Sequence, residues 1–153
     1  MTPIPQRCRG DRGQVGGIEV LPFGFLIFVA VTLLIANAWG VVDAKLAVSS
    51  SAREAVRAYV EADNLGQAEL GAMVGARQTL SSYGRDGSRS TIGQPILSAG
   101  FSRCARVSVT VSYDLPTLVL PFIGGFGNLR PVTSTFTEII DPYRDGLSGA
   151  AKC

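Results

Sequence analysis

The sequence contains no histidine among its 153 residues, and its only lysines are Lys45 and Lys152. Histidine is the commonest general base and the commonest neutral metal ligand in proteins. Its absence excludes Ser-His and Cys-His catalytic pairs. Residues 124–127 are glycine-rich, but they lack the strand-to-helix context and the following lysine of a phosphate-binding loop. The sequence therefore predicts a non-enzymatic protein with no catalytic residue, no cofactor and no metal site.

Charged residues are absent from one long segment, residues 20–42, which we call the apolar run. About 23 residues form roughly 34 Å of helix, close to the ~30 Å hydrocarbon thickness of a bilayer. Trp39 lies near the end of the run, where an aromatic side chain suits the membrane interface. We predict a transmembrane segment over residues 14–42, with membrane lipid as a partner.

The residues that flank the apolar run predict its orientation. Arg7, Arg9 and Arg12 precede it, with a single aspartate among them. Positive residues remain on the cytoplasmic side of a membrane. The sequence thus predicts a single-pass protein of the cell membrane, with residues 1–13 as a basic cytoplasmic leader and residues 43–153 as an extracytoplasmic domain. The leader accounts for the whole formal net charge of +2, so we predict no nucleic-acid partner.

A second interpretation of the apolar run is a cleaved secretory signal. Residues 36–38 have the A-x-A form that signal peptidases prefer. Cleavage after Ala38 would release a small secreted binding domain. The apolar character continues beyond this position through residues 39–42, which favours the membrane anchor.

Small residues recur on one face of the predicted membrane helix. Ala36, Gly40 and Ala44 are spaced at i, i+4 and i+8, and we call them the small-residue stripe. Such a stripe lets a second helix approach closely, so these residues are candidates for subunit assembly. The alternative is that alanine and glycine are ordinary filler at these positions.

The membrane helix is predicted to continue outside the membrane, because no glycine or proline occurs in residues 41–62. Its external part is amphipathic, with small and apolar residues on one face. These are Val48, Ala52, Ala55, Val56 and Tyr59. Residues 51–54 also match a capping box, which would instead mark a new helix start. A turn at residues 63–66 and a second, shorter helix at residues 67–82 follow.

After the helices the apolar period changes from 3.6 to 2. Residues 107–113 alternate strictly, and residues 131–140 are rich in β-branched residues, so we predict an antiparallel pair. Residues 91–97 are predicted to add a short edge strand, because Pro95 restricts that segment to an edge. The predicted fold class is α+β: a long transmembrane helix that extends into an external amphipathic helix, a second helix, and a small antiparallel sheet.

The connection between the two main strands, residues 115–126, is more apolar than most loops. One interpretation is that its side chains fold back to complete a small core. The other is that its tip inserts at the membrane surface or into a neighbouring subunit. The side chains in question are Leu118, Leu120, Phe122 and Ile123.

The three cysteines include no close pair such as C-x-x-C. Cys8 lies across the predicted membrane from Cys104 and Cys153, which excludes a structural zinc site. In an oxidising compartment Cys104 and Cys153 are candidates for a disulfide that closes a loop of about 50 residues. The alternative is that residues 146–152 form a flexible tail that leaves both thiols free.

Three features at the start of the chain match one family in order. They are a short Arg-Gly-Gln sequence, a glutamate with a proline soon after it in the apolar run, and an Ala- and Arg-rich helical segment. Their positions are Arg12-Gly13-Gln14, Glu19 with Pro22, and residues 51–58. Over residues 12–62 the chain resembles the TadE-like minor pseudopilins of tight-adherence (Flp-type) pili.

The resemblance implies a structural subunit of a pilus or a related secretion apparatus. Its implied partners are other pilin and pseudopilin subunits, pilus assembly membrane proteins and a prepilin peptidase. The implied cut falls after Gly13 and makes Gln14 the new N-terminus. A membrane-tethered adaptor unrelated to pili is the remaining alternative.

Glu19 opens the membrane helix, and two roles are open for it. An acid in the first turn of a helix is favoured by the helix dipole. An acid within the bilayer can instead specify assembly by pairing with a positive group of a neighbouring subunit. The glutamate of the family stands fifth after the cut, whereas Glu19 is sixth when counted from Gln14.

Overall fold

Helix α1 is one unbroken helix of 42 residues, Val20–Glu61. The computed structural model describes residues 20–120, 122–149 and 152–153. The chain divides into two units, the first ending at Ala36 and the second comprising Asn37–Cys153, and α1 contributes to both.

In the first unit, the described residues are those of α1 up to Ala36. Their large apolar side chains are exposed; Phe23 and Phe25, for example, are each 70% exposed. The hydroxyl of Thr32 donates to the Phe28 carbonyl at 2.8 Å, so this polar group is satisfied within the helix. The most apolar 18-residue window of α1 has a mean hydropathy of 2.4 and is not buried. The helix is therefore long and apolar enough to span a membrane.

In the second unit, α1 packs one face into the core. The apolar face predicted for residues 48–59 is fully buried, which confirms that this part of α1 is amphipathic. Its members are Val48, Ala52, Ala55, Val56 and Tyr59. The capping-box alternative at residues 51–54 is wrong, because α1 continues through it. Ser51 is buried, and its hydroxyl donates to the carbonyl of Ala76 at 2.9 Å.

Helix α2, Leu65–Ser82, packs against α1 through small side chains. Its buried residues follow a four-residue spacing: Ala68, Ala72, Ala76 and Leu80. A Cβ added at Gly75 would lie 3.6 Å from the Glu54 carbonyl oxygen, so the two backbones are close. The helix begins earlier than predicted because Asn64 caps it, accepting from the Gln67 backbone N–H at 3.0 Å.

In the described part of the chain the sheet has four strands, and three of them pair antiparallel with the fourth, β3. They are β1 (Ser90–Ile92), β2 (Ile96–Leu97), β3 (Arg106–Leu120) and β4 (Gly124–Ile139). Strand β4 pairs with one edge of β3, while β1 and β2 follow one another along the other edge. The single edge strand predicted at residues 91–97 is thus two short strands. The chain leaves the ladder between them, after Gly93 donates to the Thr110 carbonyl at 2.8 Å.

The two faces of the β3–β4 pair differ in chemistry. On the inner face, alternate residues of β3 are buried in the core: Val107, Val109, Val111 and Tyr113. On the outer face, hydroxyl side chains bond across the strands in three successive pairs, which we call the hydroxyl row. They are Ser108 with Thr137 at 2.8 Å, Thr110 with Thr135 at 2.8 Å, and Ser112 with Thr133 at 3.1 Å. This alternation confirms the predicted antiparallel pair and the α+β class.

Strands β3 and β4 are longer than the sequence predicts, because both continue into the apolar connection. Leu118 pairs with Phe126 and Leu120 pairs with Gly124, so the connection is mostly the end of a hairpin. The ladder is irregular between Pro116 and Leu118, as expected for a proline within a strand. A Cβ added at Gly125, which pairs with Val119, would lie 2.6 Å from the Pro116 ring, so position 125 requires glycine.

A disulfide joins Cys104 and Cys153, the pair that the sequence names, with the two Cα atoms 5.3 Å apart. The segment before Cys153 is held to the domain, because the Arg103 backbone N–H donates to the Ser148 carbonyl at 2.8 Å. Leu147 also packs against the core. Residues 146–149 are thus attached through the same segment that carries Cys104.

The end of α1 is capped from the same C-terminal region. The Arg144 guanidinium donates to the carbonyl oxygens of Val60 and Glu61. The last carbonyls of a helix have no partner within the helix, and a cation is favoured beside them. Arg144 therefore ties the C-terminal region to α1 by a contact that has no local sequence signal.

Candidate membrane and assembly interface

The candidate processing and charge-pairing residues precede α1. Gly13, Gln14 and Glu19 lie outside the described residues. Their roles in cleavage and in assembly stay predictions. The interface that the structure does describe begins with the apolar part of α1.

The small-residue stripe is shorter than the sequence predicts. Ala44 is fully buried within the domain, so it is not available to a second subunit. Ala36 is exposed, and a Cβ added at Gly40 would meet no atom within 4 Å. The part of the stripe that is open to another helix therefore consists of Ala36 and Gly40.

The first two charges that follow the apolar run are both paired with the domain. Asp43 forms an ion pair with Arg85, whose guanidinium also lies 5.6 Å from the centre of the Tyr113 ring. The Lys45 ammonium donates to the backbone carbonyl of Thr133 on β4. These contacts hold the charged end of the apolar run against the sheet.

A further contact lies inside the apolar run itself. The side-chain amide of Asn37 donates to the Val119 carbonyl at 3.1 Å, and its oxygen accepts from the Val119 backbone N–H at 2.6 Å. An amide side chain is costly in an apolar environment unless its hydrogen bonds are made. The outer edge of β3 supplies both partners, and Asn37 in turn satisfies the backbone of that edge.

The tip of the β3–β4 hairpin is apolar and exposed. Phe122 is 108% exposed and Ile123 is 69% exposed, and Leu118 is also exposed, while Leu120 is half-buried. The interpretation that these side chains fold back to complete the core is therefore wrong. The strands keep pairing to their ends, which carries the side chains away from the core. The alternative, a tip that inserts at the membrane surface or into a neighbouring subunit, stays a prediction.

Among the described residues, one buried side-chain polar group has no hydrogen-bond partner. The Tyr59 hydroxyl forms no hydrogen bond, while its ring packs edge-on against Phe101 with the ring centres 5.8 Å apart. Burial raises the pKa of Tyr59 above its ordinary value, and the negative charge of Glu69 acts in the same direction.

The described residues offer no clear small-molecule or metal site. Within residues 20–120, 122–149 and 152–153, no three Cys, Asp or Glu side chains converge to hold a metal ion. Two cavities lie at the surface, of about 230 and 300 Å³. Glu69, Met73 and Pro95 line the first, and Glu61 and Arg144 line the second, without a nucleophile and base in contact.

Sequence reasoning missed the pairing of Asn37 with Val119 and the role of Arg85. A signal for the first is present, because Asn37 is the only amide side chain in the apolar run. A polar residue in such a run is expected to face a partner. Arg85 sits in a polar loop, and nothing local indicates that it reaches Asp43.

The chain was compared with known proteins in three ways. No protein-family model matches it, and neither the curated proteins nor the solved structures gave a match. The candidate interface is therefore described from the structure alone. It consists of an exposed apolar helix segment, the paired charges Asp43 and Lys45 at its end, and an exposed apolar hairpin tip.

Proposed function

We propose that this chain is a non-enzymatic, single-pass membrane subunit, a minor pilin or pseudopilin of a tight-adherence pilus or a related secretion apparatus. The sequence support is the resemblance over residues 12–62. It includes the Arg12-Gly13-Gln14 sequence and the glutamate and proline that open the apolar run.

The observation that carries the proposal is the continuity of α1. One helix provides the exposed apolar segment and, without a break, a central element of the domain core. Strands follow the helices in the chain, which is the layout that the resemblance implies. A subunit built in this way needs no separate linker between its anchor and its domain.

The proposed topology places the N-terminus in the cytoplasm and the unit Asn37–Cys153 outside. The basic leader supports this orientation. The disulfide between Cys104 and Cys153 agrees with an oxidising, extracytoplasmic compartment. A prepilin peptidase is the proposed processing enzyme, with its cut after Gly13.

The proposed partners are other pilin and pseudopilin subunits, which contact the apolar helix at two places. Glu19 pairs with a positive group of a neighbour, and Ala36 and Gly40 let a neighbouring helix approach. Gly40 is suited to a test, because a Cβ added there meets no atom within 4 Å.

The test is deletion of the gene in its native host, followed by complementation. The proposal expects loss of pili on deletion and recovery with the wild-type gene. Unchanged piliation of the deletion strain would contradict it.

The complementation also separates assembly from folding. Gly40→Leu should insert normally but fail to restore pili or to co-purify with other subunits. Gly24→Leu is the matched control, because Gly24 is equally open and lies about 160° away around the helix. If both variants restore pili, Gly40 is not a contact.

A further inference from the structure

The hairpin tip, residues 115–129, has the composition of a membrane-contacting element. It contains no charged residue, and Asp114 and Arg130 flank it directly. Its apolar side chains are exposed at the end of the hairpin, foremost Phe122 and Ile123. A contiguous exposed patch of this kind marks a surface that is covered in the functioning protein.

The charge boundaries of the helix and of the hairpin coincide. The apolar run of α1 ends at Asp43 and Lys45, and Lys45 bonds the carbonyl of Thr133 on β4. Thr133 is three positions from Arg130, at which the uncharged hairpin tip ends. The uncharged part of α1 and the uncharged part of the hairpin thus both begin near the contact of Lys45 with Thr133.

Within the second unit, the hairpin runs alongside residues 37–45 of α1, with its tip on the side of Asn37. Two contacts show this direction: Lys45 bonds Thr133, and Asn37 bonds Val119. Asn37 is nearer than Lys45 to the start of α1, and Val119 is nearer than Thr133 to the hairpin tip. At 1.5 Å per residue, Asn37 lies about 9 Å along the axis from Asp43, inside the apolar run. The exposed Trp39, a side chain typical of membrane interfaces, lies between these two levels.

Backbone hydrogen bonding limits how deeply the tip can enter. Among the described strands β4 pairs with β3 alone, so its other edge has no strand partner. Unpaired backbone groups are excluded from the hydrocarbon core but are hydrated among lipid headgroups. The outer edge of β3 is satisfied at Val119 by Asn37. The interfacial layer, about 5–10 Å deep for amphipathic elements, fits both the side chains and the backbone.

We propose that the hairpin tip is a second membrane contact, which inserts Phe122 and Ile123 into the interfacial layer of the extracytoplasmic leaflet. The occupant of the exposed apolar patch is lipid, and protein contacts of the tip are outcomes that would overturn the proposal. It rests on the proposed function only for the membrane anchor in α1.

The test uses the full chain, reconstituted into vesicles of phosphatidylcholine and phosphatidylglycerol. Trp39→Phe removes the single native tryptophan, and one tryptophan is then introduced as Phe122→Trp. Tyr143→Trp is the aqueous control, because Tyr143 is exposed outside the hairpin tip. Phe28→Trp is the anchor control, because Phe28 is exposed within the apolar run.

We expect lipids brominated near the glycerol end to quench Phe122→Trp more than lipids brominated at the chain terminus. Acrylamide should quench it several-fold less than it quenches Tyr143→Trp. Quenching by acrylamide at the level of Tyr143→Trp, or quenching by neither agent, would overturn the proposal, since the tip would then lie in water or against protein.

The anchor control separates this proposal from the proposed function. If lipid quenches Phe28→Trp but not Phe122→Trp, the anchor stands and the tip proposal fails. If lipid quenches neither of them, the membrane anchor fails and the tip proposal fails with it.

Discussion

The side-chain amide of Asn37 and the backbone of Val119 form a reciprocal pair of hydrogen bonds, at 3.1 and 2.6 Å, between α1 and the outer edge of β3. The two residues are 82 positions apart in the sequence. Their pairing relates the direction of the hairpin to that of the helix, so it is the contact to test first.

Replacing Asn37 with leucine keeps the size of the side chain and removes both hydrogen bonds. The Val119 N–H and carbonyl would lose their side-chain partners. We therefore expect the free energy of local opening at this end of the hairpin to fall by about 1–3 kcal/mol. Hydrogen exchange should show reduced protection at residues 118–120. Gln78→Leu, at an exposed amide on α2, is the control and should leave that protection unchanged. Unaltered exchange in Asn37→Leu would show that the pair contributes nothing.

Tyr59→Phe should be neutral or stabilising, because the hydroxyl that it removes is buried without a hydrogen bond. Tyr59→Ala should cost about 3–5 kcal/mol, since it leaves a cavity beside Phe101. Denaturant unfolding of the protein measures both. A large loss of stability in Tyr59→Phe would reveal a partner for the hydroxyl.

The same residue predicts a pH dependence. Because the pKa of Tyr59 is raised in the folded protein, its neutral form is favoured there, and this contribution is fully present below the unfolded pKa near 10.0. It is lost as pH rises through the folded pKa. Tyr59→Phe should therefore lose less stability than the wild type in alkaline solution. Tyr143→Phe, at an exposed tyrosine, should follow the wild type.

Breaking the disulfide should destabilise the domain, because the bond spans a sequence separation of 49 residues. Cys153→Ser should cost about 3–4 kcal/mol in the chain-entropy treatment. Peptide mapping without reduction should recover Cys104 linked to Cys153 in protein from its native compartment. Recovery of both as free thiols would contradict the bond.

Topology is tested with a thiol reagent that does not cross membranes. It should label Ser88→Cys in intact cells, or in spheroplasts where an outer membrane is present, because Ser88 is exposed and belongs to the domain that we propose is extracytoplasmic. Cys8, in the predicted cytoplasmic leader, should stay unlabelled until the cells are lysed. The reverse pattern would overturn the orientation.

Glu19→Gln keeps the shape of the side chain and removes its charge. Under the assembly hypothesis, the variant should insert normally but lose co-purification with other pilus subunits. Under the dipole hypothesis it should cost well under ~1 kcal/mol and co-purify normally. Glu69→Gln, at an exposed glutamate of α2, is the control for a change of charge alone.

The sequence was sufficient to predict elements that are buried on one side only. Residues 107–113 alternate because one face of β3 packs on the core, and Val48 and Tyr59 recur at helical spacing for the same reason. The disulfide partners were also correctly identified, since only two cysteines follow the apolar run.

The elements that sequence reasoning missed do not have one apolar, buried face and one polar, exposed face. Residues 115–120 are apolar on both faces and contain a proline, so their strand has no period of two. Arg85 and Arg144 bind groups far away in the chain, and nothing in the sequence around them indicates these pairings. The composition of residues 146–152 left a flexible tail open as the alternative to the disulfide, whereas a backbone hydrogen bond from Arg103 to Ser148 holds this segment.

The hydroxyl row makes the outer face of the sheet insensitive to pH and to salt concentration over its length. The row, from Ser108 with Thr137 to Ser112 with Thr133, consists of side chains that do not ionise. Between Arg106 and Asp114, β3 therefore presents the same surface in acid and in alkali, and in dilute and concentrated salt. A contact made on this stretch would therefore keep its strength when the pH or the salt concentration changes.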